Sequence, residues 1–198
     1  MANRPMPEPQ AAAIRFIYLA WAAWAFTWAM LSPGAKSTVR AESFESRLLH
    51  LAPLGAAVWL LCAGQYVGQD LAASVLPREA WMVFAGAALV AAGLLFAVWA
   101  RFTIGANWSG TVTVKQDHVL VRNGPYALAR HPIYTGLLAA FLGTAIAIDA
   151  WRGVVAFVLV TLGFLRKMQI EEEFMVETFG DEYRRYQSWT AALVPFVW

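Results

Sequence analysis

The sequence predicts an all-α membrane protein of about five transmembrane helices, with one long cytoplasmic loop carrying a possible short β-hairpin and an amphipathic C-terminal helix. Three observations predict it. Sixty per cent of the 198 residues are hydrophobic and only 14% are charged, far from the balance of a soluble domain. The apolar residues fall in long runs without barrel alternation, and only helices or closed barrels satisfy the backbone in lipid. Basic residues gather in every second connection. No composition shift marks a second domain, so residues 1–198 read as one integral membrane unit.

Taken in order, the proline-rich stretch Met1 to Gln10 is expected to be disordered or pinned at the membrane surface. Four apolar segments follow, Ala11 to Leu31, Leu48 to Val67, Ala80 to Ala100 and Ile133 to Ile148, with a shorter fifth from Val154 to Leu165. A bilayer core needs roughly 20 helical residues, which the first three supply. The last two are short and joined by Asp149 to Gly153, so they read as a helical hairpin packed on the rest. The first segment is a retained helix rather than a signal peptide, on its length and on Trp21, Trp24 and Trp28. Arg15 and His50 sit near span ends, where snorkelling or a surface hydrogen bond accounts for them. The lone Cys62 rules out an intramolecular disulfide and a thiolate metal cluster.

Charge sets the orientation. With the N-terminus outside, the inner connections hold Lys36, Arg40, Arg47, Arg101, Lys115, Arg122, Arg130, Arg166, Lys167, Arg184 and Arg185, eleven of the fifteen Lys and Arg. The positive-inside rule then puts the C-terminus in the cytoplasm and brings three basic regions to one face.

Between Arg101 and Arg130 the chain is polar, long for a structureless loop and so expected to be functional. Thr111 to Lys115 and His118 to Arg122 alternate in β-branched residues around Gln116-Asp117, the pattern of a hairpin at the membrane surface. The loop ends in Gly124 to Gly136, Gly-Pro-Tyr-Ala-Leu-Ala-Arg-His-Pro-Ile-Tyr-Thr-Gly. Each Pro removes a donor and biases its predecessor away from α, so Pro125 and Pro132 mark bends, and His131 and Tyr134 stand where the loop enters a hydrophobic helix. After the helical hairpin a polar helix is expected to about Ser188. At about 100° per residue, Met168, Met175, Phe179, Tyr183 and Tyr186 share one face, with Glu171 and Glu172 at its edge. Leu193 to Trp198 reads as an apolar tail tucked under the membrane-facing side.

The candidate site gathers Asn107, Lys115, His118, Tyr126, Arg130, His131 and Tyr134 from the loop, and Arg166, Glu171 and Glu172 from the tail. Carboxylates suit an ammonium or ribose, Arg and Lys a carboxylate, and Tyr and Trp faces an adenine or sulfonium. Taken singly, each has a plainer reading: Arg130 pairing with lipid phosphate, His131 capping a helix, the Glu cluster as a solvated face. No metal pattern joins the scattered His50, His118 and His131, and there is no Gly-x-Gly-x-x-Gly or Walker sequence. Nucleic acid is not an expected partner.

Gly-x-Asn-Trp-Ser at Gly105 to Ser109, His-x-Leu-Val at His118 to Val121, Gly-Pro-Tyr-x-x-x-Arg-His-Pro-x-Tyr at Gly124 to Tyr134, Glu171-Glu172, and Phe-Gly-x-x-Tyr-x-x-Tyr at Phe179 to Tyr186 occur in order, followed by Pro195. In these motifs, spread over Arg101 to Trp198, the chain resembles the isoprenylcysteine carboxyl methyltransferase family of integral membrane enzymes. The resemblance implies S-adenosylmethionine bound on the cytoplasmic side by the half 101–198, and a lipophilic or lipid-modified substrate entering from the bilayer past the three N-terminal helices of residues 1–100. It implies cofactor contacts from His118, Val119, Leu120, Val121, Tyr126, His131, Pro132, Ile133, Tyr134 and a tail glutamate, Glu171 or Glu172, with Thr113 or Lys115 supplying a polar contact before His118. Arg166 would face the substrate carboxylate, and His131 or Glu172 would serve as base if the acceptor were an amine. Membrane lipids are the other expected partner.

The activity this implies is methyl transfer to a carboxylate of the prenylcysteine type. Phospholipid amine and thiol acceptors belong to the same pattern. A sterol-type reductase binding a nicotinamide cofactor is an alternative that the Glu171-Glu172 pair disfavours, and a non-catalytic lipid- or partner-binding protein is another.

Overall fold

The computed structural model describes residues 7–34, 36–64, 66–76, 79–115 and 117–194. Helix α1 spans Glu8–Leu31, strand β1 Thr38–Ala41, α2 Phe44–Cys62, the single-turn α3 Gln69–Ala72, α4 Ala80–Ile104, strand β2 Thr113–Lys115, α5 Pro132–Ile148, α6 Trp151–Phe179 and α7 Asp181–Trp189. Three of these, α1, α4 (which runs on through a short 3-10 turn) and α6, are long and apolar enough to cross a membrane; α5 is a shorter apolar helix of 17 residues. Leu19, Phe26, Trp81, Leu95 and Leu162 are exposed on the outside, a surface suited to lipid.

The two halves of the molecule are joined mainly by α4 and α5. A Cβ on Gly86 would fall 2.4 Å from the carbonyl oxygen of Gly143, and one on Gly93 would fall 2.4 Å from that of Gly136. The backbones touch, as small residues allow between membrane helices, where dispersion rather than hydrophobicity drives association. The expected hairpin of α5 and α6 forms, with Asp149 in the left-handed region at the bend and its Oδ1 accepting from the Val75 and Leu76 amides. Antiparallel to α6 lies α2. Arg152 donates to the Leu60 and Leu61 carbonyls at one end of that pair, and Gly163 packs on the His50 carbonyl further along.

Several expectations are corrected. The strand at Thr113–Lys115 does not fold back on His118 to Arg122, which carry no strand. It pairs antiparallel with β1, Arg40 opposite Val114 and Ala41 opposite Thr113. The loop instead turns away at Asp117, whose φ is 48°; Gln116 lies outside the described residues. The fifth apolar segment and the polar helix are one unbroken α6 of 29 residues, and the break falls at Gly180, where φ is 55°. That is a backbone region glycine enters without a Cβ clash. The second helix ends at Cys62, short of Val67. Glu8 to Gln10, expected as disordered, open α1, with Met1 to Met6 outside the described residues.

His50 is not at the surface. It is 3% exposed, its Nε2 3.4 Å from Glu42 Oε1. Glu42 holds Val112 twice, its amide donating to the Val112 carbonyl and its carboxylate accepting from the Val112 amide. Arg101, counted with the loop charges, is also buried. It donates to the Leu31 and Gly105 carbonyls at the ends of α1 and α4, and lies 4.5 Å from the Trp108 ring. Both arrangements fix the wall that runs from Trp108 to Thr113.

Candidate active site

One cavity of about 640 Å³ occupies the centre of the molecule, in the usual ~300–1,000 Å³ range for small-molecule sites. Its polar end is built where Pro132 starts α5. Pro suits the first helical position because its missing N–H would find no helical partner there. The preceding bend is strapped by the tail: the Arg130 and His131 amides donate to the Ala191 and Ala192 carbonyls, and Thr135 Oγ1 to Leu193. Pro195 to Trp198 lie outside the described residues.

From this bend His131 reaches α6 and bridges its two carboxylates. Nε2 lies 3.1 Å from Glu172 Oε1 and Nδ1 3.5 Å from Glu171 Oε2. Burial alone favours the neutral ring, but hydrogen bonds to Glu171 and Glu172 and their charges outweigh it, so the His131 pKa stands above the ordinary histidine value. With both nitrogens donating, His131 is held as an imidazolium.

The two glutamates then differ in what they face. Glu172 also accepts from Arg130 Nε at 2.7 Å and from Gln187 Nε2 at 2.9 Å, and does not line the cavity. Glu171 does line it, accepting from the Tyr134 hydroxyl at 2.7 Å with Lys167 Nζ 3.9 Å away. Tyr134 is stacked between His131 and Phe164, ring centroids 5.6 and 4.7 Å apart. Lys167 is anchored to the Gly110 carbonyl at 2.9 Å and lies 5.5 Å from the Tyr134 ring centroid.

Of the residues singled out in the sequence, His118, Val119, Leu120, Val121, Tyr126, His131, Pro132, Ile133, Tyr134 and Glu171 all line this cavity, as do Asn107 and Arg130. Lys115 ends β2, and its side chain lies outside what the structure describes. Arg166 does not line the cavity; its neighbour Lys167, a helical step of about 100° away, does. Buried Tyr126, Tyr183 and Tyr186 close the polar end, burial raising their pKa values, that of Tyr186 to about 12. All three stay neutral hydrogen-bonding groups at any ordinary pH, Tyr186 donating to the Tyr126 carbonyl.

The other end of the cavity is apolar and was missed in the sequence. Trp21, Trp24 and Trp28 of α1 line it, with Leu54 and Leu61 of α2 and Leu137 and Phe141 of α5. Trp21 packs edge-on against Trp24 and Phe141, and its Nε1 donates to Thr144 Oγ1 at 3.0 Å. The signal was present, since positions 21, 24 and 28 repeat at the three- and four-residue spacing of one helix face.

Known proteins share this architecture. A solved structure titled as the eukaryotic intramembrane Ras methyltransferase ICMT (isoprenylcysteine carboxyl methyltransferase) superposes with a TM-score of 0.55 at 24% identity, covering 80% of this chain and 55% of that one. A yeast (Saccharomyces cerevisiae) protein-S-isoprenylcysteine O-methyltransferase is 32% identical over 57% of this chain and 48% of its own length. Protein-S-isoprenylcysteine O-methyltransferase A of Arabidopsis thaliana is 29% identical over 70% of this chain and 72% of its own. The chain spans about half of the yeast relative and 65% of its rice relatives. A family model described as phospholipid methyltransferase matches residues 81–182, from the start of α4 into α7, and the chain belongs to that family of integral membrane proteins.

Proposed function

We propose that this protein is an S-adenosylmethionine-dependent methyltransferase acting on a lipophilic acceptor, with a carboxylate of the prenylcysteine type as the acceptor. The observation that carries the reading is the continuity of the cavity: a polar end with a carboxylate, a lysine and stacked aromatic rings opens directly onto an end lined by Trp, Leu and Phe. A charged cofactor and a greasy acceptor need both environments in one enclosure.

The residues present fit the cofactor. Glu171 faces the cavity with acceptor capacity for an ammonium or ribose hydroxyls, and His118 to Val121 and Tyr134 supply apolar and aromatic faces for a purine ring. Bound there, the sulfonium supplies an activated methyl group. His131 and Glu172 act as positioning residues, since both nitrogens of the one and both oxygens of the other are already engaged. Lys167, rather than Arg166, faces the acceptor carboxylate. A carboxylate is ionised at neutral pH, so the chain's task is alignment and exclusion of water rather than proton removal. The buried walls made by Tyr126, Ile133 and Phe164 provide that exclusion.

The charge distribution supports an active site on the cytoplasmic side, N-terminus outside and C-terminus inside. The test is calorimetry or thermal shift in detergent with S-adenosylmethionine, its demethylated product and NADPH, followed by a methylation screen on prenylcysteine, phosphatidylethanolamine and thiol acceptors. Binding of the first two ligands and turnover of prenylcysteine is the expected result. Binding of NADPH alone would point to a reductase, and turnover rising steeply with pH on the amine would move the acceptor to a phospholipid.

A further inference from the structure

Arg166 has a neighbour across the α2–α6 packing that the cavity does not use. The two helices run antiparallel, and Gly163 sits on the His50 carbonyl, a Cβ there falling 3.1 Å from that oxygen. One turn further along each helix in the same direction brings Arg166 of α6 level with Arg47 of α2. The Nε atoms of both are buried and lack a hydrogen-bond partner among the described residues. Arg166 is also close enough to His50 to act on it electrostatically.

Elsewhere the cations are matched. Arg40 meets Glu177, Arg122 meets Glu182, Arg130 meets Glu172, Lys167 meets Glu171 and Arg184 meets Asp181. Arg47 and Arg166 have no such carboxylate among the described residues, and two like charges at one level repel unless an anion lies between them. A guanidinium presents a planar fork of donors that matches phosphate oxygens.

We propose that Arg47 and Arg166 form a binding site for the phosphodiester of an anionic phospholipid, held from the membrane side of α2 and α6. The lipid source follows from what surrounds the pair. Phe44, Leu48 and Leu49 on α2 and Leu162 and Leu165 on α6 are exposed apolar side chains, suited to acyl chains and useless to a free phosphate. Two positive charges against one phosphodiester favour a headgroup without a compensating ammonium, and the leaflet bearing basic loops is where such lipids concentrate.

The test is native mass spectrometry and thermal shift on the purified chain with phosphatidylglycerol, phosphatidylcholine or inorganic phosphate added to the detergent. Phosphatidylglycerol is expected to remain bound and to stabilise more than the other two, and Arg47→Gln or Arg166→Gln each to weaken it about tenfold. Arg185→Gln, on the exposed face of α7, is expected to leave it unchanged. Equal stabilisation by phosphatidylcholine would overturn the headgroup preference, equal stabilisation by inorganic phosphate would overturn the lipid source, and retention by both Gln variants would overturn the site. Should the Gln variants not fold, Arg→Lys at both positions keeps the charge and loses the fork, so unchanged retention there counts against the site in the same way.

Discussion

The two ends of the cavity are built on different physics. At the polar end a handful of charges from α5, α6 and the strapped bend satisfy one another within 4 Å, so removing one strands another. At the apolar end, rings and branched side chains from α1, α2 and α5 share the load as area, with the Trp21–Thr144 bond the polar contact named there. Changes at the first end should act as near switches. Changes at the second should act by degrees.

The largest effect is expected from Glu172→Ala. It leaves Arg130 and His131, whose side chains are 11% and 8% exposed, without a shared carboxylate. Breaking a buried pair from one side costs about 3 kcal/mol or more, and thermal unfolding in detergent should show a fall of several degrees before any ligand is added. Glu171→Gln tests the other carboxylate. It keeps an acceptor for Tyr134 and, set at the cavity, is expected to weaken S-adenosylmethionine about 10- to 100-fold by calorimetry while the apo-protein melts close to wild type. Similar melting losses for the two variants would erase the distinction between a supporting and a ligand-facing glutamate. Lys167→Met should lower kcat/KM on a carboxylate acceptor about tenfold with the cofactor affinity unchanged.

How far the sequence carried depends on the range of the interaction. The bend at Pro132, the apolar runs and the placing of Glu171 beside the stripe that continues through Met175 are local, and the periodicity or the backbone chemistry of proline announces them. The β1–β2 pairing joins residues some 75 positions apart, and three-residue strands carry no alternation long enough to read, so a neighbouring hairpin was the natural wrong choice. Buried Arg101, Glu42 and His50 looked like surface charges because nothing local reports that a carbonyl or carboxylate will meet them. Arg166 and Lys167 differ by one helical step, and which of them faces the cavity is set by how α6 packs against α2 and α5. The Trp face was visible as a spacing and went unused because tryptophan in a membrane helix has a ready explanation.

pH offers a sharper probe of the polar end than substitution. The folded-state pKa of His131 is raised above its unfolded value near 6.5. Its contribution to stability is therefore fully present below about pH 6.5 and is lost as pH rises through the folded value. Wild type should lose thermal stability on passing from mildly acidic to alkaline buffer, and His131→Gln should be less stable at low pH and flatter across the range. A profile in which stability rises through this window would mean the imidazole is neutral in the fold, and the bridged arrangement would have to be abandoned.

The smallest effect should come from Trp21→Phe, which keeps an aromatic face toward the cavity and removes the 3.0 Å bond to Thr144. Thr144 keeps its own donation to the Ala140 carbonyl, so no buried hydroxyl is stranded and the expected loss is about 1 kcal/mol or less. What changes is orientation, because the indole is held edge-on to Phe141 by that bond, and a smaller ring freed from it alters the shape of the apolar end. The readout is the ratio of kcat/KM for long-chain over short-chain acceptors, expected to move a few-fold while the affinity for S-adenosylmethionine stays put. A parallel drop in cofactor affinity would mean that the two ends are mechanically coupled through α5, which carries Tyr134 at one end and Thr144 ten residues on, and the division between switch-like and graded effects would then fail.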